Sequence, residues 1–181
     1  EKLKIEHKKK KTVREILEQL LIYKSLYTDQ GVIPSLPCEF DLDLFNTFRS
    51  YIDYKNHYPI RLNLNTDERG SFVETLRSNT KGQFSFSTTR PGITRGNHFH
   101  TGKIERFTVI KGKAQIKLRR IGTNKVHNFE LNGNEPSYVD MPVWYTHNIK
   151  NIGDEELYTL FWINEFFDPD YPDTYYEDVT L

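Results

Sequence analysis

The apolar period of this chain changes near residue 60, and that change restricts its fold more than any other feature. Before it the spacing is helical. Thr12-Val-Arg-Glu15 reads as a capping box, and Val13, Ile16, Leu17, Leu20 and Leu21 follow at three-to-four spacing along one helix face. Gly31 and the stretch Pro34 to Pro37 end that helix. A second helix is expected after Asp41, with Leu44, Phe45, Phe48, Tyr51 and Ile52 on its apolar side. Beyond residue 60 the apolar runs are short and alternating, as in Phe84-Ser-Phe86, Phe107-Thr-Val109, Ala114-Gln-Ile116-Lys-Leu118 and Leu157 to Trp162. Asn132-Gly133 carries the signal of a hairpin turn. The division expected is a helical segment over 1–59 and a mainly β domain over 60–181, built as a sandwich or barrel. The acidic, aromatic, proline-containing end from Asp168 to Leu181 is expected to pack across the barrel or a partner subunit without forming a strand.

Charge narrows the partners. Lys+Arg and Asp+Glu are both 25, so no basic excess speaks for nucleic acid. The basic run Lys8 to Lys11 reads as a solvated approach to the first helix. A small anion needs only a local arginine pair and stays open. A lone cysteine, Cys38, forms no internal disulfide and suits a reducing compartment. No apolar run approaches the roughly 20 residues of a membrane span, so the expected setting is the cytoplasm. Neither a G-x-G-x-x-G nor a P-loop pattern occurs, so a dinucleotide fold is not expected within this chain.

The chemistry concentrates in His98-Phe-His100, Glu105 and, far downstream, His147. Residues i and i+2 of a strand face the same side, which aims both imidazoles of the first motif into one space. Imidazoles with a carboxylate and no thiolate suit zinc, iron, manganese or nickel. A single histidine in such a segment would read as an ordinary core or surface group, but the combination reads as a ligand set.

The full spacing, G-x5-H-x-H-x4-E-x6-G from Gly92 to Gly112, resembles the first signature of the cupin superfamily. Pro142-Val-Trp144-Tyr-Thr-His147, followed by Asn151, resembles the second, with Trp144 standing where that signature has glycine. Asp67-Glu-Arg69-Gly70-Ser-Phe72-Val-Glu74 and Arg95-Gly96-Asn97-His98-Phe99 resemble segments of the dTDP-4-dehydrorhamnose 3,5-epimerase family, itself of cupin fold. Tyr145-Thr-His-Asn148, Trp162-Ile-Asn-Glu165, Phe167-Asp-Pro169 and Pro172-Asp-Thr-Tyr175 extend the likeness, so that the chain resembles the C-terminal half of the CapF capsular polysaccharide family. That family often has Lys where Arg95 stands and Trp where Phe99 stands.

The resemblance implies a cupin (jelly-roll) β-barrel holding a divalent metal, zinc by the family's habit, on His98, His100, Glu105 and His147. It implies substrate contacts from Arg69, Glu74, Arg95, Asn97 and Trp144, and epimerisation at C3 of a UDP-4-keto-6-deoxy-2-acetamido-hexose on the way to UDP-N-acetyl-L-fucosamine. It also implies a homodimer, and an NADPH-dependent dehydrogenase domain of which residues 1–59 would be the tail and linker. His98 is the proton-transfer residue by position, but a histidine that ligates a metal cannot also take the proton. Lys103, Tyr145 and Glu105 are the neighbouring alternatives. Two other functions fit the same scaffold: a sugar 3,4-ketoisomerase, and a non-catalytic cupin serving sugar binding or dimerisation.

Overall fold

The computed structural model describes residues 9–180, which divide into two compact units, 9–61 with 78–80, and 62–77 with 81–180. Of the basic run, Lys8 lies outside the described residues.

In the first unit α1 (Val13–Tyr23) opens on the expected capping box. Thr12 accepts from the Glu15 amide at 3.2 Å, and the Glu15 carboxylate accepts from the Thr12 amide at 2.7 Å. The helix runs on as a π-helical stretch, Lys24–Asp29, to Gly31, whose φ of +68 takes the left-handed turn glycine allows. Following β1 (Val32–Ile33), α2 (Glu39–Ser50) and α3 (Tyr54–His57) complete the unit. α1 and α2 meet through an aromatic cluster. Tyr23 is buried edge-on to Phe45 and its hydroxyl donates to the Asp41 carbonyl at 3.0 Å. The expected apolar face is only partly used: Ile16 and Leu20 are half-buried, whereas Val13, Leu17 and Leu21 are exposed.

The second unit is antiparallel β. Its strands are β2 (Leu64–Asp67), β3 (Gly70–Ser78), β4 (Gln83–Thr89), β5 (Thr94–Phe99), β6 (Glu105–Lys111) and β7 (Lys113–Arg120), then β8 (Val126–Asn132), β9 (Ser137–Met141), β10 (Tyr145–Asn151), β11 (Leu157–Ile163) and β12 (Tyr175–Tyr176). One sheet runs β3-β4-β11-β6-β9 with β2 on β3, and the other β12-β5-β10-β7-β8. Val109, Met141 and Leu157 of the first sheet pack with Ala114, Ile116, Leu118, Leu131 and Ile149 of the second in one buried cluster. The alternation of β7 produces this, with Ala114, Ile116 and Leu118 turned inward from a strand whose intervening residues point out. Two facing antiparallel sheets around one core form the jelly-roll barrel expected from the sequence.

Two local expectations are corrected. Asn132-Gly133 does not close a hairpin. β8 pairs with β7 and β9 with β6, so the segment carries the chain from one sheet to the other, with the Gly133 amide on the Gly112 carbonyl at 2.9 Å. A side chain at Gly133 would run into the Lys111 backbone, and this close approach is what requires glycine there. The C-terminal end does contribute a short strand, because Tyr175 and Tyr176 pair with Phe99 and His98 along the edge of β5.

Candidate metal centre

The two sheets supply the ligand set jointly. β5 and β10 are paired with His147 opposite His98, and the ladder bulges immediately after His147. His100 follows β5 directly, and Glu105 begins β6 in the facing sheet. Gly96, with φ +104, lets β5 pass close to β10 at this bulge; a Cβ there would stand 2.6 Å from the His147 carbonyl oxygen. One ligand atom from each of His98, His100, Glu105 and His147 lies within 4.8 Å of the others.

The geometry is that of donors aimed at a common point. Glu105 Oε2 is 3.3 Å from His100 Nε2 and 3.1 Å from His147 Nε2. Yet none of these three buried atoms makes a hydrogen bond of acceptable angle among the described residues. Buried polar atoms are rarely left so, because each forfeits its hydration for nothing. A divalent cation between them would supply the missing partner, and the oxygen-and-nitrogen donor set is one such cations accept. The tautomers agree. His100 donates from Nδ1 to the Asp173 carbonyl and His147 from Nδ1 to the Tyr145 carbonyl at 3.2 Å, which leaves both Nε2 lone pairs free to ligate. His98 is the half-buried member of the cluster.

Electrostatics separate the groups in the metal-free protein. Burial and then the neighbouring His147 push His98 down to about 4, which keeps its ring neutral. Burial would also lower His100 and raise Glu105, but their contact reverses both. His100 is raised, and Glu105, flanked by His100 and His147, is held well below the usual carboxylate range.

The remaining residues singled out from sequence fall in different places. Arg69 donates to the Asp67 carboxylate from Nε at 2.9 Å, and Arg95 stands 3.9 Å from the same carboxylate while donating to Thr89 Oγ1 and the Thr88 carbonyl at 3.2 Å. These two arginines face one cavity of about 270 Å³ with Asp67, Gly70 and Phe72. Glu74 lines no part of it and pairs with Arg77 at 2.5 Å. Asn97, at φ +61, accepts from Asn148 Nδ2 at 2.7 Å and so ties β5 to β10 beside the cluster. Trp144 takes φ +63, a left-handed backbone that glycine adopts most readily, and its half-exposed ring stacks on Phe99 at 5.7 Å. Lys103 is buried, with its ammonium on the Pro172 carbonyl and 5.5 Å from the Phe167 ring. Tyr145 packs its ring against the core cluster. One residue the sequence reading passed over is Asp173, which touches His100 and the whole loop that follows it. Its only signal was membership of the Pro-Asp-Thr-Tyr segment.

Comparison with known proteins agrees with the fold. Residues 65–175 match the model of the family described as Polysaccharide biosynthesis C-terminal domain. The UDP-2-acetamido-2,6-beta-L-arabino-hexul-4-ose reductase of Pseudomonas aeruginosa is 39% identical over 132 residues, 73% of this chain and 35% of that protein. A probable low-salt glycan biosynthesis epimerase, Agl13 of Haloferax volcanii, is 26% identical over 124 residues, covering 62% of this chain and 80% of that protein. The crystal structure of the capsular polysaccharide assembling protein CapF from Staphylococcus aureus superposes with a TM-score of 0.82 at 39% identity, over 93% of this chain and 48% of that one. The chain thus spans about half of CapF and about a third of the reductase. It belongs to the Polysaccharide biosynthesis C-terminal domain family and is a CapF-like C-terminal cupin.

Proposed function

We propose that this cupin holds a divalent cation on His98, His100, Glu105 and His147 and inverts C3 of a UDP-4-keto-6-deoxy-2-acetamido-hexose. The observation that carries the proposal is the convergence of three buried, otherwise unpartnered donor atoms, His100 Nε2, Glu105 Oε2 and His147 Nε2, with the half-buried His98 beside them. The names of the relatives, a hexulose reductase and a glycan epimerase, point to the substrate class and the reaction.

The reaction is proton transfer. The C3 proton lies next to the C4 ketone, so its removal leaves an enolate, and its return to the opposite face inverts C3 with no net change in atoms. When bound, the cation supplies Lewis-acid stabilisation of the negative charge that develops on the ketone oxygen. Arg69 and Arg95 share one cavity wall, and their planar forks suit a diphosphate. Of the proton-transfer candidates, His98 and Glu105 are committed to the ligand cluster and Tyr145 to the core, whereas Lys103 stands outside both. Zinc as the cation, NADPH reduction by residues beyond this chain, pairing into a homodimer and a cytoplasmic setting complete the proposal. No helix among the described residues is long and apolar enough to cross a membrane.

The test is solvent exchange. Incubated with the 4-keto sugar in heavy water, the metal-loaded protein is expected to place deuterium at C3 with the ketone still at C4. Migration of the ketone to C3 would make it a ketoisomerase. Lys103→Met that keeps its metal and loses exchange would assign the proton to Lys103; unaltered exchange would remove it from consideration.

A further inference from the structure

The segment that closes the chain is bound to the loop joining two of the ligands, and nearly all of that attachment passes through one residue. The Asp173 carbonyl accepts from His100 Nδ1. Its carboxylate divides its two oxygens over the next three residues. Oδ1 accepts from the Thr101 amide at 3.0 Å and the Thr101 hydroxyl at 2.6 Å, while Oδ2 accepts from the Gly102 amide at 2.9 Å and the Lys103 amide at 3.0 Å. Thr101 to Lys103 lead directly from His100 toward Glu105. The adjoining Pro172 carbonyl accepts the Lys103 ammonium. Asp173 itself sits at φ +40, a left-handed conformation in which an aspartate or asparagine is tolerated better than most residues.

We propose that Asp173 is a positioning residue for the metal centre, holding His100 and the Thr101–Lys103 loop in the arrangement that aims His100 Nε2 and Glu105 at one cation. The inference rests on the metal site proposed above. Two contacts do separate things. The carbonyl fixes the His100 tautomer and ring orientation, so the lone pair stands on Nε2. The carboxylate fixes the backbone that sets the offset between His100 and Glu105, which come from opposite sheets. A hydrogen-bond partner behind a ligand typically changes metal affinity by about 10–100-fold when removed. In cupin terms the closing segment would be part of the site's rigidity.

Asp173→Asn tests this. Asparagine keeps the shape and the backbone conformation, but its amide has one acceptor oxygen and offers N–H groups where Oδ1 or Oδ2 must accept two donors. Zinc affinity is measured by competition with a chromophoric chelator, and the cobalt-substituted protein is followed by its visible ligand-field spectrum. Thr101→Val, which deletes one of the four bonds at an exposed side chain, is the milder companion, and Asp170→Asn on the same segment is the control. Asp173→Asn leaves the backbone carbonyl bond to His100 in place and removes only part of the carboxylate's hold on the loop. It is therefore expected to weaken zinc by about tenfold, the low end for an outer partner, and to alter the cobalt spectrum. Thr101→Val should weaken it by less, and Asp170→Asn should leave it unchanged. Zinc affinity and cobalt spectrum equal to wild type in folded Asp173→Asn would overturn the proposal, even if the metal-free variant melted lower. If Asp173→Asn does not fold, an unchanged affinity in Thr101→Val overturns it. Wild-type protein that binds neither metal would overturn the metal site itself, a separate result.

Discussion

Replacing Gly96 by alanine strains the point where the two ligand-bearing strands approach most closely. Gly96 has φ +104, and the added Cβ would stand 2.6 Å from the His147 carbonyl oxygen and 2.8 Å from the Asn148 Cα, where ordinary contact begins at 3.4 Å. Both obstructing atoms belong to backbone, so no side chain can swing aside. Holding a non-glycine residue in such a conformation costs about 1–3 kcal/mol, and overfilling a packed contact costs about 1–3 kcal/mol more. Together they remove about 2–6 kcal/mol from the roughly 5–15 kcal/mol that a domain of this kind has available. The strands can relieve the contact by separating, but His98 and His147 are register partners across that same ladder. Relief would therefore draw the two ligands apart and weaken metal binding. Urea unfolding of Gly96→Ala with metal and with chelator reads both effects: a lower midpoint in chelator, and a smaller gain on adding metal than wild type shows. Stability within about 0.5 kcal/mol of wild type, with the metal gain intact, would refute the reasoning that β5 and β10 are locked at Gly96.

Metal removal should destabilise the protein measurably, because the ligands come from both sheets and only the folded chain assembles them. Zinc at a hundred times its Kd adds about 2.7 kcal/mol, or about 5–11 °C in Tm for a chain of this size; equal melting curves in zinc and chelator would contradict this. In the metal-free protein, histidine NMR should show His98 titrating at about 4, below its ordinary 6.5. The unfolded chain then takes that proton first, so His98's contribution to stability is complete above about pH 6.5 and is lost as pH falls toward 4; a His98 midpoint near 6.5 would remove that contribution. Arg69→Ala and Arg95→Ala should each raise the KM for the nucleotide sugar by about 10–100-fold through loss of a charge-assisted hydrogen bond, with metal content unchanged. Unaltered KM values would move the anion site away from their shared cavity.

The candidate ligand cluster was legible from spacing: His98 and His100 stand two apart across the end of β5, and Glu105 opens the next strand. Trp144, the departure from the second cupin signature, takes a left-handed backbone of the kind glycine adopts most readily. What stayed hidden depends on partners distant in sequence. Asp173 acts on residues some seventy positions away, and no periodicity encodes that contact. Glu74 matched its motif yet pairs with Arg77, because strand alternation sets a face but not which charge a carboxylate meets. Asn132-Gly133 has the residues of a hairpin turn and is used for a crossover between sheets, a choice made by the packing of Gly133 against Lys111. The exposed Val13, Leu17 and Leu21 show that helical spacing identifies a face without identifying what covers it.

The most direct test of the central claim is proton NMR of the C3 position of the UDP-4-keto-6-deoxy-2-acetamido-hexose in heavy water, with protein loaded to one zinc per chain. The expected result is loss of the C3 proton signal while the ketone stays at C4, abolished by chelation and by Glu105→Gln. A fully loaded, folded protein that leaves the C3 proton signal intact would contradict the epimerase assignment.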